Sequence, residues 1–339
     1  MVERQRRVQR QAFVRDAGWS DATESLLAGD ASFRRYFRLR RGHESAVVMD
    51  APPPQEDVRP FVVIGRHLHD LGFSAPAILV EDSVNGFLLL EDLGDDTYAR
   101  VMNAQPVPSG GSEAALYTLA TDVLVALHGH GQRALPSLGL TAYDGDTLID
   151  AAMLLPEWYL PMAQGRPPSE DDIASYRAAW RDVLHAMPAD PQTLLLRDFH
   201  QDNLMWLRDR RGVRACGLLD FQDAQRGHAA YDLMSLIEDA RRDIDPALRA
   251  AMLDRYIAGA GIGDRAGFET AFAILGAQRH ARVIGLFVRL LQRDGKPIYM
   301  PHLPRVWRLF ERSLAHPALT PLRHWVDRHV PPAKRVLAL

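Results

Sequence analysis

Cysteine is almost absent from these 339 residues. Cys216 stands alone and cannot close an internal disulfide, which points to a reducing compartment and excludes a Cys-rich zinc module. Lysine is nearly absent too: of 40 basic residues only Lys296 and Lys334 are lysines, leaving 38 arginines. There is no excess of positive charge, because 43 acidic residues leave a net charge of -3. Bulk electrostatics therefore draw the chain neither to nucleic acid nor to an anionic membrane. No apolar run approaches the ~18 residues of a membrane span. The arginine-rich start has no apolar stretch of the secretory kind and reads as a short surface helix with solvated arginines. Internal repeats and low-complexity tracts are missing. The expectation is a cytoplasmic, monomeric protein with no nucleic-acid or membrane partner.

What is present is ordinary globular material. Hydrophobic residues make up 47% and charged residues 24%, and the length suggests about two domains. The first hundred residues read as strands around one helix. Phe33 to Arg40 and Ser45 to Asp50 are extended runs joined by the turn Arg41-Gly42-His43-Glu44. After the break at Pro52-Pro53-Pro54, Asp57 precedes a helix with Pro60 in its first turn and Phe61, Ile64, Leu68 and Leu71 on one face. Pro76 to Glu81 and Phe87 to Glu91 read as two further strands. Beyond a short linker near 92 to 96 and a loop from Val101 to Ser112, helical periodicity takes over. Helices are expected at Ala114 to His128, Leu148 to Met162, Glu170 to Met187, Pro246 to Ile257 and Gly267 to Gln292. The boundaries drawn are a β-rich lobe over 1–92 and a helical lobe over 93–339, an α+β architecture.

The block from Thr193 to Asp220 interrupts the helices and carries the chemistry. An apolar run, Leu194-Leu195-Leu196, delivers Asp198 onto a loop; Asn203 follows five residues later. A second run, Ala215 to Leu219, delivers Asp220. Phosphoryl transfer needs this inventory: one carboxylate to orient an acceptor hydroxyl and take its proton, and a second with an amide oxygen to hold Mg²⁺. Asp198-x-His200-x-Asp202 alone also suits a metallohydrolase, but that reading leaves Asn203 and Asp220 unexplained. His200 reads as a loop brace, and Cys216 as packing.

Asp198…Asn203 followed by Asp220-Phe221 resembles the catalytic loop and metal motif of protein-kinase-like folds. Asp198-Phe-His200-x-x-Asn203 is similar to the form found in the aminoglycoside phosphotransferase family. Within that family, Gly29 to Arg38, Val48 to Pro53, Leu89 to Gly94, Leu155 to Leu160 and Gly217 to Asp223 resemble anomeric N-acetylmuramate/N-acetylglucosamine kinases of peptidoglycan recycling. The resemblance runs from about residue 29 to 315. It implies a two-lobed kinase-like fold and an ATP- and Mg²⁺-dependent kinase that makes an amino-sugar 1-phosphate. It further implies Asp198 as base, Asn203 and Asp220 as magnesium ligands, a nucleotide-binding hinge at Glu91 to Leu93, and Asp232 as a brace for the catalytic loop. An aminoglycoside or choline-type acceptor, or a non-catalytic kinase-like binding protein, is the alternative.

On the acceptor side, Glu157 and Trp158 suit a sugar's hydroxyls and ring face, or simply a helix core. Arg279, His280 and Arg282 suit an acidic substituent, or a solvated helix face. The lysine that kinase-like folds place on the third strand, and its glutamate on the next helix, are both missing: Met49 stands at the lysine's position, and Val58 to Leu71 contains no Glu. Strand alternation puts Phe33, Arg35, Phe37 and Leu39 on one face and Arg34, Tyr36, Arg38 and Arg40 on the other. Arg35, the one charge on an apolar face, is the expected phosphate contact, helped by backbone N–H groups of Ala31 and Ser32, with Arg34 as the substitute.

Overall fold

The computed structural model describes residues 2–29, 33–131, 135, 139–189 and 192–335. The chain forms two compact units. One comprises Met1–Val123, Pro136–Gly139 and Gln201–Ala224; the other comprises Leu124–Leu135, Leu140–His200 and Gln225–Leu339.

The first unit is built on a five-stranded antiparallel sheet. Helix α1 (Val2–Asp16) precedes β1 (Thr23–Gly29), β2 (Arg35–Arg41) and β3 (Glu44–Asp50); α2 (Arg59–Asp70) precedes β4 (Ile78–Asp82) and β5 (Phe87–Glu91). The strand order is β1-β2-β3-β5-β4. Strands β2 and β3 form the expected hairpin, with Arg41 opposite Glu44 and Gly42 at φ 54°. Strand β1 was not legible in the sequence, since its exposed Leu26 and Leu27 give it no buried face and its pairing with β2 makes it a strand.

Phe37, Leu39, Ala46 and Val48 point to one side of the sheet and pack with Phe13 and Val14 of α1. The arginines of α1 are not all solvated, contrary to the sequence reading. Arg10 is buried, donating to Glu24 and to Asp50 (3.0 Å), with its guanidinium 3.5 Å from the centre of the Phe37 ring. Arg6 donates to Asp50 (2.6 Å) and covers Phe87. Each long side chain lays its stem and delocalised charge on an aromatic face while a carboxylate takes the N–H groups.

After β5 the chain enters α3 (Tyr98–Asn103), where a linker and loop were expected, and then α4 (Glu113–Gly129), α5 (Gly145–Ala152), α6 (Leu160–Gln164) and α7 (Glu170–His185). The single helix expected over Leu148 to Met162 is broken between α5 and α6 by a wide turn at Leu155–Tyr159. Pro156 has no N–H to continue the helix, and Gly285 approaches so closely that a Cβ there would lie 2.0 Å from the Leu154 carbonyl oxygen. Four short strands follow: β6 (Thr193–Leu195), β7 (Leu204–Trp206), β8 (Cys216–Leu218) and β9 (Gln225–Gly227). Strand β6 pairs with β9 in the second unit, and β7 with β8 in the first.

The division of the chain thus differs from a cut at residue 92. The β7–β8 pair joins the sheet-bearing unit through Leu218 N–H to Ser74 O (2.9 Å) and Trp206 N–H to Asp96 O (2.8 Å). The second unit is completed by α8 (Ala230–Ile237), α9 (Pro246–Gly259), α10 (Arg265–Gln292), α11 (Leu303–Leu314) and α12 (Thr320–His329). Its core gathers Tyr159, Trp180, Ile284, Trp307, Phe310 and Trp325 around α10. Among the described residues no helix is long and apolar enough to cross a membrane.

Candidate active site

In the first unit, a cavity of about 420 Å³ opens on the face of the sheet opposite α1. Its walls are apolar: Tyr36 and Val47 from the sheet, Leu90 and Leu93 at the end of β5, and Met205 and Leu219 from the β7–β8 pair. Glu91, Asp202, Asn203 and Asp220 supply its polar margin. The segment after β5 is held from β2: buried Arg38 donates to Asp92 (2.9 Å), Asp95 (2.7 Å) and the Gly94 carbonyl (2.9 Å). Glu91 is itself taken by Arg210, and its N–H by the Ala77 carbonyl at 2.8 Å. Leu93 N–H has no hydrogen-bond partner among the described residues. Arg38 was not singled out in the sequence; its one signal there was a charge in an otherwise strand-forming run.

Asp220 follows β8 with φ 56°, a left-handed conformation uncommon for a residue with a side chain. Phe221 anchors it, stacked on Phe61 of α2 at 4.7 Å, and Gly65 leaves room for that ring. The Asp220 carboxylate accepts from Gln222 (2.8 Å), Arg34 (3.1 Å) and Asn203 (3.4 Å). The Asp220 carboxylate offers hard oxygens at the cavity margin, and a half-turn of the Asn203 amide, 3.4 Å away, adds another. One carboxylate and one amide suffice for a small divalent ion that keeps its waters and shares substrate phosphates. The residues present fit such an ion.

Asp198 belongs to the second unit. Arg197 before it is the other described non-glycine residue at positive φ, 66°. Asp232 holds this strained turn by accepting from Leu196 N–H (2.6 Å) and Arg197 N–H (2.9 Å). Burial pushes the Asp232 acid up to about 7, against those donors and Arg279, which favour its charged form. Arg279, buried on α10, donates to the Arg197 carbonyl (3.1 Å), the Tyr231 hydroxyl (3.2 Å) and Asp198 (3.3 Å). Burial alone would raise the Asp198 pKa, but Arg279, Arg282, His200 and Arg197 outweigh it and hold the carboxyl well below the usual carboxylate range. His200 is buried, and burial pushes it down to about 4, so its imidazole is neutral at pH 7.

The structure therefore gathers Arg34, Glu91, Leu93, Asn203 and Asp220 in one unit, and Asp198, Arg279 and Arg282 in the other. Arg279 spends its donors on the chain itself, whereas Arg282, one turn further along α10, makes no hydrogen bond or ion pair among the described residues. Glu157 is exposed and Trp158 leans on the helical core; neither is joined to the Asp198 cluster by a described hydrogen bond or ion pair. Ser32 and Ala31 lie outside the described residues. Arg35 is not the inward charge expected of it: it is exposed, on the α1 side of the sheet, paired with Glu3 at 2.8 Å. Alternation was read correctly, but α1 covers that face and the cavity occupies the other. A larger concavity of about 1050 Å³ along α1 holds Arg35 and none of the other motif residues.

Comparison with known proteins bears on the family and the fold. The chain is 37% identical to an N-acetylmuramate/N-acetylglucosamine kinase of Caulobacter vibrioides, over 96% of this chain and 97% of that one. A choline/ethanolamine kinase family protein from Mesorhizobium loti has the same fold, with a TM-score of 0.62 at 16% identity, covering 97% of this chain and all of the other. So does an ADP-bound aminoglycoside phosphotransferase, with a TM-score of 0.57 at 16% identity over 85% of this chain and 92% of that one. Residues 23–268, which include β2, the hinge after β5, Asp198, Asn203 and Asp220, match the model of one family. The chain belongs to the phosphotransferase enzyme family.

Proposed function

We propose that this phosphotransferase is an ATP- and Mg²⁺-dependent amino-sugar kinase that phosphorylates the anomeric hydroxyl of N-acetylmuramate or N-acetylglucosamine. The substrate class rests on the relatives of that name, and the chemistry rests on Asp198, a fixed anion at a strained turn. Asp198 accepts a hydrogen bond from the acceptor hydroxyl, aims it, and takes its proton as the oxygen–phosphorus bond forms and the bond from the γ-phosphorus to the bridging oxygen breaks. A carboxylate with so low a pKa is a weak base. An anomeric hydroxyl, more acidic than a ring alcohol, asks least of it. The products are a sugar 1-phosphate and ADP.

Asn203 and Asp220 hold the Mg²⁺, which when bound offsets the phosphate charge. The purine sits in the 420 Å³ cavity, between the sheet face and Met205 and Leu219, with the segment from Glu91 to Leu93 at its edge and the free Leu93 N–H as donor. On the helical unit, Arg279 positions Asp198, and Arg282 receives the lactyl carboxylate of N-acetylmuramate. Glu157 and Trp158 are the remaining candidates for sugar contacts. The cytoplasm, where ATP is held, is the proposed location.

Mixing the protein with Mg-ATP and a panel of amino sugars, aminoglycosides and choline, and following ADP, tests the reading. Turnover with the two N-acetyl sugars is expected. A 6-phosphate product, or turnover of kanamycin-type acceptors with none of the amino sugars, overturns it.

A further inference from the structure

Arg34, the substitute phosphate contact of the sequence reading, stands on the cavity side of the sheet. It lies just before β2, buried, with Nη2 3.1 Å from Asp220 Oδ1 and Nε 3.9 Å from Glu56 Oε2. Glu56 comes from the loop ahead of α2 and is fixed by accepting from Phe33 N–H at 3.0 Å. The third-strand position that carries lysine in kinase-like folds is Met49, buried and apolar. Kinase-like sites need a cation that pairs with a glutamate near the first helix and lies beside the metal-binding aspartate. Here one guanidinium meets both carboxylates, although its strand and its glutamate's segment are both different.

We propose that Arg34 is the phosphate clamp of this enzyme and Glu56 its positioning residue, a lysine–glutamate pair rebuilt from an arginine at the entry to the neighbouring strand. The proposal rests on the kinase reading above. A guanidinium carries five donors in a planar fork, so it keeps Nε toward Glu56 while its two Nη groups turn to phosphate oxygens. A lysine ammonium is a single point and does not divide its donors in this way. The contact with Asp220 is then the resting partner of the same fork: a buried cation needs an anion whether or not nucleotide is present. Arg35, one residue on, points to α1 and has no part in it.

The test is equilibrium binding of ATP to the full-length protein by calorimetry, without acceptor, with Mg²⁺ and again in EDTA, for wild type, Arg34→Met, Arg34→Lys, Glu56→Gln and Arg35→Met. Thermal unfolding is recorded in parallel. Arg34→Met should weaken ATP binding about tenfold or more, the worth of a charge-assisted pair of hydrogen bonds, in both media. Arg34→Lys should recover only part, Glu56→Gln should cost a few-fold, and Arg35→Met nothing. Wild-type affinity in a folded Arg34→Met protein overturns the clamp. Tighter Mg²⁺-dependent binding overturns it too, leaving Arg34 as a latch on Asp220 only. Should Arg34→Met fail to fold, Arg34→Lys decides: unchanged ATP affinity overturns the clamp. Wild-type protein that binds no ATP overturns the kinase reading itself.

Discussion

Replacing Arg38 by methionine isolates the device that holds the segment after β5, the proposed nucleotide hinge. Arg38 and the Asp92 side chain are each only 6% exposed, and the guanidinium also binds Asp95 and the Gly94 carbonyl. Removing one partner of such a pair leaves a buried, uncompensated carboxylate, which costs about 3–5 kcal/mol. Asp95 is 44% exposed and adds little to that figure. Urea unfolding at pH 7 should therefore show a loss of roughly 3 kcal/mol or more. The ATP KM should rise about tenfold as the hinge loses its position, with the acceptor KM unchanged. The loss should also depend on pH. Arg38 holds Asp95 below the usual carboxylate value. A depressed acid contributes stability that is present above its unfolded value and lost as pH falls through the folded one. The gap between wild type and Arg38→Met should thus be full at pH 7 and shrink below about pH 4. A loss under about 1 kcal/mol at neutral pH, or a gap that is the same in acid, refutes a buried ion pair as the hinge's anchor.

Asp198→Asn should abolish transfer and leave Mg-ATP binding intact, whereas Asp220→Asn should weaken Mg-ATP binding itself; calorimetry beside an ADP assay separates them. Arg282→Met should lower kcat/KM for N-acetylmuramate at least tenfold while sparing N-acetylglucosamine, which has no carboxylate; equal losses on both sugars would assign Arg282 to the transferred phosphate. A methyl glycoside of N-acetylglucosamine should not be turned over, and ADP release with it would place the reacting hydroxyl elsewhere on the ring. Gly285→Ala should destabilise the second unit by about 3 kcal/mol in thermal unfolding, because its methyl meets the Leu154 carbonyl at 2.0 Å and backbone cannot give way as a side chain does.

Much of the candidate site was legible because its chemistry is local. Asp198 and Asn203 share one loop, and Asp220 ends the next apolar run, so spacing alone exposes the inventory of a phosphotransferase. The β2–β3 hairpin was legible for the same reason, through alternation and a turn at Gly42. Strand β1, the break at Leu155–Tyr159 and the burial of Arg10 were not: each depends on a partner elsewhere in the chain. A strand with no buried face has no alternation to read, and the close approach of Gly285 to the Leu154 carbonyl leaves no mark at residue 154, where Pro156 is the one local sign of the wide turn.

By itself, then, the sequence picked out the candidate groups for the chemistry and set Arg34 and Arg35 on opposite faces. The choice between them belonged to the tertiary structure. Alternation states only that neighbours diverge; the docking of Phe13 and Val14 on Phe37 and Leu39 gives one face to α1 and leaves the other to the cavity. Long-range polar contacts follow the same logic. Arg34 meets Asp220 across 186 residues, and Arg38 meets Asp92 across 54. A pairing of that kind has no period and no spacing rule, because its geometry is created only when packing brings the two backbones together.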